Sequence, residues 1–293
     1  MPCMITNDTP LVTFITTYYN LPTDMLCECI DSILALSLTP QEREIIVVDD
    51  GSDRSPMNEL MQYGDQIVYV RQKNGGISTA RNTALAMAKG RYVQIVDGDD
   101  CLIKEPYEHC LDILRKHDDA DMIMFDFTHS PENTNDDVGE PLKYNGPQLM
   151  RSTNICGTAW CYLFRQSVRG KLTFTPGIAY GEDEEFTPQL LIRSEVVYVT
   201  KVKAYYYREH EDSATHRHDK TSIDRHLADH MTVLCNLNKL SDTLPQEYRT
   251  AMQRRVAQLA MDQIYNTIML TRSEERLGST LKELHDLGLF PLP

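Results

Sequence analysis

Short apolar runs alternate with helix-spaced apolar residues through the first half of the chain. The runs are typical of buried strands, and a helix is the usual connection between parallel strands, so the pattern predicts an α/β domain. Strands are expected at 11–16, 44–48, 66–70, 92–96 and 120–127. Helices are expected at 24–36, 57–63, 78–88 and 102–117, with Gly90 ending the third.

The pattern changes in the second half of the chain. Eight acidic residues and no Lys or Arg lie between Asp118 and Glu140, which predicts a solvated loop because like charges resist packing. Strands are expected at 157–165 and 196–207, and a helix with acidic residues in its first turn at 180–192. The remaining sequence predicts three helices, at 222–240, 246–270 and 273–287.

Composition restricts the class of partner. The chain has 293 residues, of which 41% are hydrophobic, enough for a sizeable core in one large domain or two small ones. Lys plus Arg number 29 and Asp plus Glu number 43, so the formal net charge is −14. This balance argues against duplex nucleic acid as a partner, because phosphate contacts need clustered Lys and Arg. A local basic pocket for a small phosphate ligand is compatible with it.

The start of the chain and the cysteines suggest a compartment. The start has no basic segment followed by an apolar run, so no secretory signal is predicted, and the apolar runs are too short to span a bilayer. Eight cysteines occur without a Cys-x-x-Cys pair, which disfavours a zinc ribbon or a thioredoxin-like site. We therefore expect a cytoplasmic protein with reduced, mostly buried thiols.

Two predicted strands end in acidic turns. Asp49 and Asp50 follow the second strand, and Asp97, Asp99 and Asp100 follow the fourth. Ligands of open α/β sheets bind beyond the carboxyl ends of the strands, and Mg²⁺ or Mn²⁺ takes one or two carboxylates together with phosphate oxygens. A single Asp-Gly-Asp is more often a turn or helix cap, but the second acidic turn favours a metal–diphosphate site.

A glycine pair precedes the third predicted helix. Gly75 and Gly76 allow a tight turn, and Arg81 follows about one turn into the helix, where it could face a phosphate or a carboxylate. The segment lacks the dinucleotide Gly-x-Gly-x-x-Gly and the Walker Gly-Lys-Ser/Thr patterns. A Rossmann dehydrogenase and a P-loop ATPase are therefore disfavoured.

Four consecutive acidic residues, 182–185, lie at the start of a predicted helix. One of them could act as a general base, because a carboxylate at the edge of a site can take a proton from a hydroxyl. Taken alone, the run is better explained by complementarity to the helix dipole. His210, His216 and His218 lack a metal-ligand spacing, which favours a loop with solvated histidines over a metal site.

Several segments, in this order, resemble family 2 glycosyltransferases with the GT-A nucleotide-sugar fold, over about residues 10–215. The segment 12–20 resembles the opening strand and Tyr-Asn turn, with Thr17 where the family usually has proline. The segments 44–52, 74–90 and 92–100 resemble the uracil-contacting strand end, the Gly-Gly to Ala-Arg-Asn stretch and the strand before an Asp-x-Asp metal site. The segments 159–165, 181–183 and 206–213 resemble the acceptor-side strand, the Glu-Asp base motif and the closing segment.

The resemblance implies a fold and a reaction. The fold is α/β, a GT-A domain at 10–218 with a mixed, mostly parallel sheet, followed by a C-terminal helical extension at 219–293. The reaction is inverting transfer of a hexosyl or N-acetylhexosaminyl group from a nucleoside-diphosphate sugar, with UDP the expected nucleotide, to a hydroxyl acceptor. Mg²⁺ or Mn²⁺ is the implied cofactor, and polysaccharide or glycan biosynthesis is the implied setting.

The resemblance also assigns roles to residues. Asp183 would be the catalytic base and Asp99 the metal ligand. The residues expected to bind the nucleotide are Thr17, Tyr19, Asp50, Arg81 and Asp97, with Asp97 at the ribose or an outer metal position. The residues expected near the donor or acceptor sugar are Trp160, Glu182 and Asp100. For Trp160, plain core packing is nearly as good an explanation as stacking on a sugar.

Two alternatives remain on a similar scaffold. A nucleotidyltransferase would need a glycine-rich loop with Arg and Lys after the first strand, and residues 17–22 offer none. A non-catalytic sugar- or nucleotide-binding protein would have no need of the intact Asp99 and Asp183. Loss of metal-dependent release of UDP from a UDP-sugar on replacement of these residues would separate an enzyme from a binding protein.

The helical extension has three candidate roles. It could cover the sheet, pair two subunits as a homodimer, or hold a glycan or lipid-linked acceptor. From Lys220 to Pro293 it has nine basic and nine acidic residues, which give no polybasic membrane anchor. Peripheral contact with the inner membrane face would nevertheless bring a cytoplasmic enzyme to a lipid-linked acceptor.

Overall fold

Four strands near the N-terminus pair in parallel. The computed structural model describes residues 9–132, 139–209 and 219–291. The parallel strands are β1 (Val12–Tyr18), β2 (Arg43–Asp49), β3 (Val68–Arg71) and β4 (Tyr92–Ile95), in the order β3-β2-β1-β4. The side chains of β1, β2 and β4 are mostly buried, as expected for parallel strands covered on both faces.

Helices connect these strands. They are α1 (Thr23–Leu34), α2 (Met57–Leu60), which a 3₁₀ helix at Met61–Gln66 continues, and α3 (Ile77–Met87), and α4 (Lys104–Lys116) follows the fourth strand. In α1 the residues Leu26, Cys29, Ile30 and Ile33 are buried, which is the helical spacing of an apolar face. The predicted alternation of strands and helices in this half is therefore confirmed.

The second half of the sheet is mixed. It contains β5 (Cys101–Leu102), β6 (Met122–Thr128), β7 (Leu142–Tyr144), β8 (Tyr162–Arg165) and β9 (Val197–Tyr206). Strand β8 is antiparallel to both β4 and β6, whereas β6 and β9 are parallel. The complete order is β3-β2-β1-β4-β8-β6-β9-β5, with β7 paired to β9. The predicted mixed sheet is confirmed. Its uninterrupted run of parallel strands is β3-β2-β1-β4, in the first half of the chain.

The remaining helices lie beside and after this mixed half. They are α5 (Gly146–Ser152), α6 (Gln166–Arg169), α7 (Glu182–Leu191), α8 (Lys220–Thr243), α9 (Gln246–Thr271) and α10 (Glu274–Asp286). Helix α8 packs against α7 and α9, and α9 also packs against α5 and α10. The predicted C-terminal helical region is confirmed, and it packs against the domain through α5 and α7.

The sequence predicted reduced thiols and no membrane-spanning segment, and the structure bears on both. In the described part of the chain the seven cysteines are free thiols, while Cys3 lies outside it. Within the same described ranges, no helix is both long enough and apolar enough to cross a bilayer.

Gly90 does not end the third helix, contrary to the prediction. Helix α3 ends at Met87. A Cβ at Gly90 would lie 2.5 Å from the backbone nitrogen of Thr13, and the Gly90 N–H donates to Thr13 Oγ1 at 2.8 Å. Glycine at this position therefore allows the loop before β4 to lie against β1.

The strand predicted at 157–165 is shorter than expected. Ala159–Cys161 forms a 3₁₀ turn, and β8 begins at Tyr162. The Ala159 N–H donates to Asp183 Oδ2 at 3.0 Å instead of to a neighbouring strand. A side chain from a distant helix thus replaces the ladder hydrogen bond that would have extended the strand.

The acidic segment that begins at Asp118 is exposed at its first two residues and forms ion pairs with other parts of the chain. Asp118 pairs with Arg91 at 2.8 Å, Asp119 with Lys143 at 2.7 Å and Asp121 with Arg165 at 3.4 Å. Counter-charges from other parts of the chain offset the repulsion. Residues 133–138 of the segment lie outside the described part.

Candidate active site

The carboxyl ends of β1, β2 and β4 lie side by side at one edge of the sheet. Tyr18 at the end of β1 is in register with Asp49 at the end of β2, and the Asp50 N–H donates to the Tyr18 carbonyl at 2.9 Å. After β4, the Val96 N–H donates to the Ile15 carbonyl at 2.9 Å. The two acidic turns therefore lie on either side of the end of β1, at the edge where open α/β sheets bind ligands.

Asp50 organises the turn that leads into α3. Its Oδ1 accepts from Gln72 Nε2 at 2.7 Å and from the Gly75 N–H at 3.0 Å, and its Oδ2 accepts from the Gly76 N–H at 2.8 Å. The residue is 3% exposed. In this structure Asp50 joins the glycine pair to the end of β2, a role that sequence analysis missed together with its partner Gln72.

Of the predicted nucleotide residues, Thr17 lies beside the second acidic turn, and Tyr19 follows it just after the end of β1. A Cβ at Gly98 would be 2.7 Å from the Thr17 carbonyl oxygen, so the Asp97-Gly98-Asp99 turn rests on the end of β1. Tyr19 is half exposed, at 50%. This edge is therefore open to solvent next to the turn.

The turn after β4 concentrates negative charge. Asp100 is buried, and its carboxylate accepts from Tyr205 Oη at 2.8 Å and from the Arg208 N–H at 2.8 Å. Burial, and then the charges of Asp97 and Asp99, raise the pKa of Asp100 to about 8. Crowded carboxylates of this kind are stabilised by a cation.

Arg81 connects this turn to the predicted base. Its Nη2 donates to Asp97 Oδ1 at 2.8 Å, while Nη1 donates to Glu182 Oε1 at 2.9 Å and to Asp183 Oδ1 at 2.6 Å. The residue is 1% exposed. Burial acts against the charged form, but Asp183, Asp97 and Glu182 outweigh it and raise the pKa of Arg81 above its ordinary value. The guanidinium thus brings together three predicted site carboxylates from two separate elements.

Asp183 lies in the first turn of α7 and is held on both carboxylate oxygens. Oδ1 accepts from Arg81, and Oδ2 accepts from the Ala159 N–H. Burial raises the pKa of Asp183, against the lowering effect of Arg81 and with a further rise from Asp97. Burial and the adjacent Asp183 raise the pKa of Glu182 to about 8. Carboxylates with raised pKa values are better proton acceptors, which is the property that a general base needs.

Trp160 lies in an aromatic cluster behind the site. It stacks on Tyr205 with ring centroids 4.3 Å apart and on Tyr207 at 5.6 Å, and it is 5% exposed. Trp160 therefore packs among aromatic side chains in this structure, which is the second of the two explanations considered for it. Tyr205 also accepts from the Asp97 N–H at 3.0 Å, so the cluster supports the acidic turn. Sequence analysis did not single out Tyr205, because it lies within the alternating pattern of an ordinary strand.

The histidines considered as metal ligands, His210, His216 and His218, lie outside the described residues, as does Ser213 of the closing segment. Within the described ranges, no group of three His, Cys, Asp or Glu side chains is arranged to hold a metal ion.

Comparison with known proteins decides the family. The family model described as Glycosyl transferase family 2 matches residues 13–171. The chain belongs to glycosyltransferase family 2. The predicted family is confirmed, and the matched region of this family 2 glycosyltransferase ends before α7 and its carboxylates.

Curated relatives include two proteins of Bacillus subtilis (strain 168). The family 2 glycosyltransferase is 31% identical to the uncharacterized glycosyltransferase EpsJ over 237 residues, which are 74% of this chain and 67% of EpsJ. It is 27% identical to the minor teichoic acid biosynthesis protein GgaB over 205 residues, which are 65% of this chain and 22% of GgaB. The chain thus spans less than a quarter of that longer relative.

Solved structures share the fold. The structure of S. aureus TarS 1-349 in complex with UDP-GlcNAc matches with a TM-score of 0.74 at 18% identity, covering 94% of this chain and 80% of that one. The mannosyltransferase PcManGT from Pyrobaculum calidifontis, in complex with GDP-Man and Mn²⁺, matches with a TM-score of 0.59 at 14% identity. The match covers 95% of this chain and 76% of that one. The predicted GT-A fold with a C-terminal helical region is confirmed.

Proposed function

We propose that this family 2 glycosyltransferase transfers a sugar, with inversion, from a nucleoside-diphosphate sugar to a hydroxyl acceptor. One observation carries the proposal. Arg81 ties the acidic turn after β4, through Asp97, to Asp183 at the start of α7. A diphosphate site and a base are thereby adjacent, which is what displacement of a nucleoside diphosphate by a hydroxyl requires.

Asp183 acts as the base. A hydroxyl is a poor nucleophile until its proton is removed as it attacks the anomeric carbon. The Ala159 N–H and the Arg81 guanidinium hold the Asp183 carboxylate in one orientation, so no side-chain rearrangement is needed before proton transfer. Glu182, which accepts from the same guanidinium, is the residue we propose to contact the sugar.

The acidic turn fits Mg²⁺ or Mn²⁺. Asp99 is partly exposed between Gly98 and the buried Asp100, whose pKa is raised first by burial and then by the charges of Asp97 and Asp99. One or two carboxylates with phosphate oxygens are the usual donor set for Mg²⁺, so Asp99 and a bound diphosphate suffice. When bound, the cation would neutralise the charge that develops on the departing diphosphate.

The expected nucleotide is UDP, bound through Thr17, Tyr19, Asp50 and Asp97. The fold match to TarS in complex with UDP-GlcNAc supports a uridine nucleotide, and either a hexosyl or an N-acetylhexosaminyl donor is compatible with it. Two relatives, one named as a minor teichoic acid biosynthesis protein and one as a poly(ribitol-phosphate) beta-glucosyltransferase, support polysaccharide assembly with a glycan or lipid-linked acceptor.

Release of UDP tests the proposal. The protein is incubated with UDP-sugars and Mn²⁺ or Mg²⁺, and slow metal-dependent hydrolysis is measured. Asp99→Ala should abolish the metal-dependent hydrolysis. Asp118→Ala should behave like the wild type, because the Asp118 side chain is 89% exposed. Asp183→Asn should lower turnover by about 10²–10⁴-fold, the usual contribution of a general base.

Binding of UDP with Mn²⁺, measured by calorimetry, separates the two roles. Asp183→Asn should keep this binding, and Asp99→Ala should lose it. Hydrolysis that survives in Asp183→Asn would remove Asp183 from the role of base. A wild-type protein that binds no nucleoside diphosphate would overturn the proposal as a whole.

A further inference from the structure

The start of α7 is acidic but has no side-chain cap. Its N-cap is Gly181, in the left-handed conformation with φ of 82°, and no side chain caps its first N–H groups. An uncapped helix start leaves backbone donors without partners, and Pro188 further weakens this 10-residue helix. The position of Asp183 therefore depends on contacts from other elements.

Helix α8 holds the segment that leads into α7. Asp229 Oδ2 accepts from the Ala179 N–H at 2.8 Å and from the Tyr180 N–H at 3.3 Å. The Tyr180 ring stacks on His226, one turn earlier in α8, with ring centroids 5.0 Å apart. Arg225 pairs with Asp229 at 3.6 Å and donates to the Gly177 carbonyl at 3.2 Å. One turn of α8 thus fixes residues 177–180.

Helices α8 and α9 also hold the first turn of α7. Arg255 of α9, nearly buried with 8% of its side chain exposed, pairs with Glu184. Asn236 of α8 donates to Glu185 Oε1 at 2.9 Å. The two residues that follow Asp183 are therefore both bound by the C-terminal helices.

Glu184 links this contact to the other support of Asp183. A Cβ at Gly157 would lie 2.2 Å from Glu184 Oε1, so the carboxylate rests directly on the backbone there. Two residues later, the Ala159 N–H donates to Asp183. The ion pair of Arg255 with Glu184 thus touches both the helix that carries Asp183 and the turn that orients it.

We propose that Asp229 and Arg255 are positioning residues for Asp183, which gives the C-terminal helices a part in the reaction. The proposal rests on the proposed function for the role of Asp183 as base. The family match ends at residue 171, so this support comes from the part of the chain beyond it. It adds a fourth role to covering the sheet, pairing subunits and holding an acceptor.

Hydrogen exchange tests the positioning without any substrate. In the full chain, Asp229→Ala removes the acceptor for two N–H groups, and exchange of amides in 177–186 should become about tenfold faster, the effect of losing one or two hydrogen bonds. Asp229→Asn keeps an acceptor oxygen and should restore most of the protection. The matched control is Asp224→Ala, in the same helix, whose carboxylate pairs with Arg276 of α10 and leaves 177–186 untouched.

Kinetics of UDP release test the consequence. Asp229→Ala and Arg255→Gln should lower kcat by about tenfold and leave the KM for the UDP-sugar and the affinity for UDP with Mn²⁺ within about twofold, because the strand ends that bind the nucleotide are untouched. Asp229→Asn should recover kcat.

The outcomes are distinguishable. Unchanged exchange in Asp229→Ala, an equal effect of Asp224→Ala, or a loss of nucleotide affinity that matches the loss of kcat would each overturn the positioning role. If the wild type releases no UDP while exchange responds as expected, the proposed function fails and the anchoring of 177–186 by α8 stands.

Discussion

Asp50 and Asp97 follow strands of the parallel half of the sheet, whereas Asp183 opens a helix beside the mixed half. We call the first group, residues 17–19, 50 and 97–100, the strand-end edge, and residues 181–185 the base turn. At the strand-end edge, positions follow from parallel register: Tyr18 faces Asp49, and Ile15 faces Ile95. At the base turn, positions follow from side chains far away in sequence, among them Arg81, 102 residues before Asp183.

The difference is one of energetics as well as geometry. The strand-end edge is positioned by backbone hydrogen bonds between buried strands. These bonds do not depend on which side chains follow the strands. The base turn depends on buried charges that are stable only together, since a carboxylate taken out of water needs a partner. Changes at the base turn should therefore have effects that depend on charge, and changes at the strand-end edge effects that depend on packing.

The largest effect is expected from Arg81→Met. It leaves the largely buried Glu182 and Asp183, and the partly exposed Asp97, without their shared cation, and breaking a buried pair in this way costs about 3–5 kcal/mol. Equilibrium unfolding in urea should show this loss of stability. The control Arg54→Met breaks an exposed pair with Glu59, where the Arg54 side chain is 81% exposed, and should change stability by less than about 1 kcal/mol. Equal losses in both variants would contradict a charge-dependent base turn.

An intermediate effect is expected from Gly90→Ala compared with Gly157→Ala. At Gly90 the new Cβ would meet the Thr13 backbone at 2.5 Å, which cannot move without shifting β1, so a loss of about 1–3 kcal/mol is expected. At Gly157 it would meet the Glu184 carboxylate, the end of a flexible side chain. Gly157→Ala should therefore cost less stability and lower the turnover of UDP-sugar more than Gly90→Ala does. The reverse order in urea unfolding and UDP release would contradict this distinction between a contact with backbone and a contact with a charged side chain of the base turn.

The smallest effect concerns pH at the base turn. Burial and Asp183 raise the pKa of Glu182 from 4.5 to about 8, so the folded state binds this proton more tightly than the unfolded chain does. Its contribution to stability is present below pH 4.5 and is lost as pH rises through about 8. Glu182→Gln keeps an oxygen for Arg81 and has no proton to lose, so its free energy of unfolding should fall less over this range than that of the wild type.

A matched series of urea titrations across that pH range measures the difference. Asp118→Asn, which changes an 89% exposed carboxylate, should follow the wild type. The same raised pKa values predict that UDP release increases with pH on the acid side, because the base must be ionised to take a proton. Parallel stability curves for Glu182→Gln and the wild type would exclude a raised pKa at Glu182.

Much of the fold could be predicted, because apolar spacing is a local property. The strands of the parallel half and the three C-terminal helices lie close to their expected positions. The short elements β5, β7, α5 and α6 were not predicted, since two to seven residues carry too little periodicity. The 3₁₀ turn at Ala159–Cys161 was not predicted either, because its cause is a hydrogen bond to Asp183.

By itself, the sequence determined which carboxylates follow strands. It also determined that the chain resembles family 2 glycosyltransferases. Both depend on residues that are neighbours in the sequence. Only the tertiary structure decided that Arg81 is buried among three carboxylates, that Asp50 holds the turn before α3, and that α8 and α9 support the base turn. These contacts join residues up to about a hundred positions apart. Buried ion pairs of this kind form only when folding removes both charges from water. The local sequence pattern does not indicate which charges will pair.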